Sequence, residues 1–298
     1  RYGYPWIYSN EIISDRRTKS LLPGSFCTLI DYNKNPICLV TVNPKSKIFA
    51  RIMDFNLETT VDAYWLKDKI SKALAKRKEI FRDPFYRLVN AEADELPGLI
   101  VDRFDNVIVM QPNAFWAENM SEIIANSIKE VCSIDVVIKN ASGRSRRLEG
   151  LDDKNLVFFG DLPETAISVP MNGAIYKADV HEGQKTGLFY DQRQNHKFVA
   201  SLANGKTVLD VFCHVGGFGL AAIAAGASEV SFVDSSANAL DLVREGASEM
   251  LASSKMNIIR GDAFSVLRKL FESNKSYDIV ICDPPAFVTS RKSLNSGL

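Results

Sequence analysis

Four aspartates recur at intervals along the C-terminal half of the chain: Asp210, Asp234, Asp262 and Asp283. Each stands at or near the end of a short apolar run, with Gly216, Gly217 and Gly219 following the first. Glycines between a strand and a helix permit unusual backbone angles and let a ligand approach the main chain. In an open parallel sheet, ligands bind outside the carboxyl ends of the strands. A carboxylate there can accept hydrogen bonds from both hydroxyls of a ribose. The spacing therefore predicts an acidic edge suited to a nucleoside cofactor with hydroxyls, an amino group and positive character at sulfur. A dinucleotide pyrophosphate would be repelled. The turn Gly216-Gly-Phe-Gly-Leu-Ala221 also lacks the third glycine of the dinucleotide fingerprint, and the chain has no Gly-Lys-Ser/Thr phosphate loop. The bland alternative is that each aspartate caps a helix.

The elements that must position these residues alternate strand with helix from about residue 170. Strands are expected at Thr207–Phe212, Val230–Val233, Asn257–Arg260 and Tyr277–Cys282, and helices at Gly219–Ala225, Asn238–Leu251 and Phe264–Phe271. Continuous apolar strands between amphipathic helices predict a parallel sheet covered on both faces. Upstream the rhythm differs. Residues 1–60 carry short apolar runs separated by turn residues, which predicts a small barrel. Residues 61–168 open with a lysine-rich helix over 61–81, followed by a strand meander through Tyr86–Asn90, Leu99–Arg103 and Val107–Met110. A helix near 115–131 and a strand at Val136–Lys139 come next. The expected organisation is thus a barrel at 1–60, a small α+β linking domain at 61–168 and an α/β domain at 169–298.

Composition narrows the classes. The 298 residues are 46% hydrophobic and 24% charged, ordinary for a globular protein. No apolar run approaches the roughly 18 residues needed to cross a bilayer. Five scattered cysteines without CxxC spacing and only three histidines argue against a disulfide framework or a metal site and predict a cytoplasmic location. The chain is neutral overall, but residues 1–80 hold 14 Lys+Arg against 8 Asp+Glu. The N-terminal part is therefore basic and predicted to face nucleic acid. Candidate phosphate contacts are Arg16, Arg17 and Lys19, the lysines between Lys67 and Lys78, and Arg144 with Arg146 and Arg147. Tyr4, Trp6 and Tyr8 either stack on bases or plug the barrel.

Longer motifs carry a family resemblance. Asp210-Val-Phe-Cys-His-Val-Gly-Gly-Phe-Gly219 and Asp283-Pro-Pro-Ala-Phe287 resemble the first and fourth motifs of class I methyltransferases. Arg87–Arg103, Glu182–Arg193 and Tyr4–Glu11 are similar to signatures of the PUA-containing rRNA cytosine 5-methyltransferases. The resemblance implies a PUA barrel, a linking domain and a Rossmann-like catalytic domain, with S-adenosylmethionine as donor and large-subunit ribosomal RNA as substrate. A homodimer is left open. Carried over residue by residue, Asp210, Phe212, Gly216, Gly217 and Gly219 would hold the methionyl end. Asp234 and Ser235 would hold the ribose, and Asp262 with Ala263 the adenine. Gln184, Lys185, Thr186, Asp191 and Arg193 would line the entrance. Asp283 would serve in catalysis, hydrogen-bonded at N3 of a cytosine whose C6 is attacked by a cysteine thiolate. The family's nucleophile is expected on a later strand, beyond Leu298, together with about three further strands. Cys213 and Cys282 read instead as packed core. Alternatives are methylation of another base or an amino group, which Asp-Pro-Pro turns also serve, or a non-catalytic RNA-binding protein.

Overall fold

The computed structural model describes residues 4–181 and 186–285. They divide into two units: the first comprises 4–163 with 186, and the second 164–181 with 187–285.

In the first unit, β1 (Trp6–Tyr8) is followed by the short helix α1 (Arg16–Lys19), then β2 (Phe26–Ile30), β3 (Pro36–Val42) and β4 (Ile48–Asp54). The expected barrel region forms a four-stranded antiparallel sheet ordered β1-β4-β3-β2, with register shifts at Ile7/Tyr8, Leu29/Ile30 and Leu39/Val40. Such bulges deepen the twist of a small sheet. Cys38, Val40, Val42, Phe49 and Ala50 form its core, with Ile7 packed against them. Alternation along β1 therefore turns Trp6 and Tyr8 to the opposite face. The plug reading fails: Tyr4 is 55% exposed, and its ring meets Trp6 and Tyr8 at 5.6 and 6.3 Å.

Helix α2 (Ala63–Ile80) starts where the Asp62 carboxylate accepts the Trp65 N–H at 2.9 Å. Trp65, Leu66, Ile70, Ala73 and Leu74 make its buried stripe. The chain continues through β5 (Phe85–Asn90), β6 (Leu99–Phe104), β7 (Val107–Pro112), α3 (Phe115–Asn119), α4 (Ser121–Cys132), β8 (Val136–Lys139), α5 (Arg144–Glu149) and β9 (Leu156–Phe159). The strands form one sheet in chain order, with only β7 and β8 parallel. The single helix expected near 115–131 is two, because Met120 leaves helical geometry at φ −104° and ψ 12°.

The family-like motif Arg87–Arg103 is largely consumed by this unit's ion pairs. Arg87 makes two bonds to the fully buried Asp102, at 2.9 and 3.1 Å, and the Thr186 hydroxyl donates to the same carboxylate. Arg77 pairs with Asp94. One expectation about RNA contacts needs correction. Arg146 is fully buried and bonded to Glu118 and to the Pro112 and Asp152 carbonyls, so it cannot reach a phosphate. Lys67, Lys69 and Lys72 are tied to Glu130, Glu95 and Asp68. Among the described residues Lys76 and Lys78 are the lysines of α2 without an ion pair, and both are exposed.

The second unit opens with a hairpin absent from the expected elements, β10 (Ile167–Met171) and β11 (Ala174–Ala178). Asn172 and Gly173, both left-handed, form its two-residue turn. Then come α6 (Arg193–Ser201), β12 (Thr207–Val211), α7 (Gly217–Ala224), β13 (Glu229–Asp234), α8 (Ala237–Glu249), β14 (Met256–Arg260), α9 (Ala263–Glu272) and β15 (Ile279–Cys282). The sheet is parallel throughout, ordered β14-β13-β12-β15. Its first strand in sequence thus lies between the second and the fourth, which makes β12 the topological switch point.

Candidate functional site

Parallel pairing places the carboxyl ends of all four strands on one edge, and the predicted aspartates gather there. Asp210 lies inside β12, opposite Phe232 and Ile281. Asp234 closes β13, Asp262 precedes α9 as its N-cap, and Asp283 follows β15.

The turn after β12 is strained where it matters. Phe212 and His214 hold positive φ of 63° and 50°, and Gly216 follows at 80°. Left-handed backbone at non-glycine residues persists only when neighbours over-determine it. Here they do: the N–H groups of Phe212 and Cys213 both donate to the Val233 carbonyl, and the His214 N–H donates to the Asp234 carboxylate at 2.9 Å. Gly219 cannot be larger, since a Cβ there would lie 2.1 Å from the Phe232 ring.

Asp210 is buried, and its carboxylate accepts the Gly219 N–H at 2.8 Å. Burial pushes this carboxyl up to about 7; the Gly219 bond opposes the shift, and the charges of Asp283 and Asp234 add to it. Asp234 is half-buried and accepts from the His214 and Ser236 amides, leaving further lone pairs on both oxygens. Asp262 accepts the Ser265 N–H with one oxygen, so the capping reading holds for this residue and leaves its second oxygen for a ligand. Ser235, Asp262 and Asp283 are exposed, while Phe212 is half-buried and Ala263 buried.

The entrance residues divide. Gln184 and Lys185 lie outside the described residues. Thr186 belongs to the first unit, where its hydroxyl is engaged by Asp102. Asp191 and Arg193 stand at the start of α6 in the second unit, and the Arg193 carbonyl accepts from Asn172 at 2.8 Å. Cys213 is buried, and burial drives its thiol far up, so it offers no thiolate. Cys282, at the end of β15, is exposed among the described residues.

Sequence reasoning missed the supports of this turn. His214 acts through its main chain, and Phe189 meets its ring edge-on at 5.0 Å. Tyr176 and His196 lie against the glycines. The Asn172-Gly173 pair was the available signal for the hairpin that delivers Tyr176.

The site suits a positively charged nucleoside. A buried carboxyl held high by desolvation and by two neighbouring carboxylates is relieved by a cation, and Asp234 retains the capacity to accept from a ribose. Residues 149–296 match the family model of S-adenosylmethionine-dependent methyltransferases, and residues 1–55 match that of PUA-like domains. A Streptococcus mutans protein described as SAM-dependent methyltransferase superposes with a TM-score of 0.81 at 19% identity, over 94% of this chain and 72% of that one. A methyltransferase structure in complex with SAH gives 0.82, also at 19% identity, over 97% and 74%. Fold and site thus define a class I, S-adenosylmethionine-dependent methyltransferase with a PUA-like N-terminal domain.

Relatives from Shewanella denitrificans and Shewanella frigidimarina, both called ribosomal RNA large subunit methyltransferase I, are 32% and 33% identical over 99% of this chain and 75% of their own length. The chain belongs to this methyltransferase family. No helix among the described residues is long and apolar enough to cross a membrane.

Proposed function

We propose that the protein methylates large-subunit ribosomal RNA at C5 of cytosine, and that the acidic edge of the second unit holds the donor. The observation that carries the site is the convergence of Asp210, Asp234 and Asp283 where β12 lies between β13 and β15. The RNA substrate is supported by the names of the Shewanella relatives and the PUA-like match. Cytosine C5 is supported by the family motifs.

S-adenosylmethionine supplies a methyl group on a sulfonium centre. Asp210 and the turn Gly216–Gly219 are assigned to its methionyl end, with Phe212 beside them. Asp234 with Ser235 is assigned to the ribose, and Asp262 with Ala263 to the adenine. Asp191 and Arg193 flank the approach. Asp283, exposed beyond β15, is assigned to N3 of the base, to which its carboxyl in the acid form would donate a hydrogen bond that offsets charge developing on the ring. Pro284 and Pro285 fix the turn that presents it. On the first unit, Arg16, Arg17, Lys19, Lys76 and Lys78 are exposed cations assigned to phosphates, and Tyr4 is an exposed ring assigned to stacking.

The test is methyl transfer from labelled S-adenosylmethionine to ribosomal RNA by the protein expressed from its gene, followed by nucleoside analysis. Labelled 5-methylcytidine is expected. Another methylated nucleoside would keep the donor site and discard the C5 assignment. Donor binding without transfer to any ribosomal RNA would favour a non-catalytic RNA-binding protein.

A further inference from the structure

We propose that His196, stacked on Tyr176, is a positioning residue that fixes the main chain of Gly217 and thereby sets affinity for the donor. This role rests on the assignment of the glycine turn to S-adenosylmethionine. The geometry is local to the second unit.

His196 lies on α6 and is 3% exposed. Its ring stacks on Tyr176 at 6.2 Å between centroids and meets Phe218 edge-on at 4.5 Å. Its Nδ1 is buried without a hydrogen-bond partner, so packing holds the ring in place. Burial drives the imidazole down to about 4, against the charge of Asp191, and the ring is neutral at physiological pH. The ring edge faces Gly217: a Cβ there would lie 2.6 Å from both Cε1 and Nε2. Tyr176 acts on the same residue, since its hydroxyl donates to the Gly217 carbonyl at 3.1 Å. Burial raises this phenol, which keeps it protonated and able to donate. One residue of the turn is therefore held from two directions, sterically by the imidazole and by a hydrogen bond from the phenol. A shift of Gly217 would carry Gly219 with it, and Gly219 donates to Asp210.

The test is a double-mutant cycle read by calorimetric titration with S-adenosylmethionine, with thermal unfolding as a control for folding. Gly217→Ala forces a methyl group into the imidazole and is expected to weaken binding by about tenfold or more. His196→Ala vacates that space. The double variant is expected to bind within about threefold of His196→Ala alone, a rescue that independent sites do not give. Tyr176→Phe, which removes only the hydroxyl, is expected to weaken binding about fivefold, by the worth of one hydrogen bond. Losses that multiply in the double variant, a Gly217→Ala protein that binds normally, or no effect of Tyr176→Phe would each overturn the proposal while leaving the donor site intact. A wild-type protein that binds no S-adenosylmethionine would overturn the donor reading and this role with it.

Discussion

Replacing Asp210 by asparagine separates what the residue costs the empty fold from what it contributes to binding. The amide keeps the shape, and its oxygen can still accept the Gly219 N–H that the carboxylate accepts at 2.8 Å. The charge is lost. In the folded protein this carboxyl is carried from the ordinary 3.8 to about 7, chiefly by burial. The folded state therefore holds a proton that the unfolded chain releases between about pH 4 and 7. Stability contributed by this group falls as pH rises through that window. At about 1.4 kcal/mol for each pH unit of displacement, ionising Asp210 in the donor-free protein costs on the order of 4 kcal/mol. Without donor, Asp210→Asn should be the more stable protein at pH 8, by roughly 2–4 kcal/mol, and the difference should vanish near pH 4. Donor affinity should move the other way. Wild-type affinity should rise as pH increases through 7 and the carboxylate forms, whereas the variant should bind at least tenfold more weakly at pH 8 with a flatter profile. Thermal unfolding across pH with parallel titrations would measure both. A variant no more stable than wild type at pH 8, or one with undiminished affinity, would refute the argument.

Asp234→Ala removes the acceptor of the His214 and Ser236 amides as well as the assigned ribose contact. Donor binding should weaken by about 1–3 kcal/mol in calorimetry. Asp102→Ala removes the carboxylate that accepts from Arg87 and from the Thr186 hydroxyl. A loss of about 3–5 kcal/mol is expected for a broken buried pair, read as an earlier unfolding transition of the first unit. Replacing Lys76 and Lys78 with alanine should flatten the salt dependence of RNA binding by a slope of about 1.5–2, while the same change at Lys67, already paired with Glu130, should alter it less.

The parts of the fold that were readable follow from two periods. The apolar runs ending at Asp210, Asp234, Arg260 and Asp283 located the parallel strands within a few residues. Parallel pairing then forces their ends to one edge, so the aspartates could be assembled before any coordinates. Failures came where chemistry depends on direction rather than composition. Arg144-Ser-Arg-Arg147 reads as a basic patch, yet one helical turn sends Arg146 inward to Glu118 and leaves Arg144 and Arg147 outside. The lysines of α2 look alike in sequence, but those at 67, 69 and 72 meet acids that approach from other parts of the unit or from the preceding turn. His196 carries no local signal, since the glycine that its ring faces lies 21 positions later.

A crystal structure of the protein with S-adenosylhomocysteine would test the central claim most directly. The account predicts the ribose hydroxyls on the Asp234 carboxylate, the adenine beside Asp262 and Ala263, and the amino-acid end over Gly216–Gly219 near Asp210. A ligand bound elsewhere, or one in this cleft with its ribose away from Asp234, would contradict it.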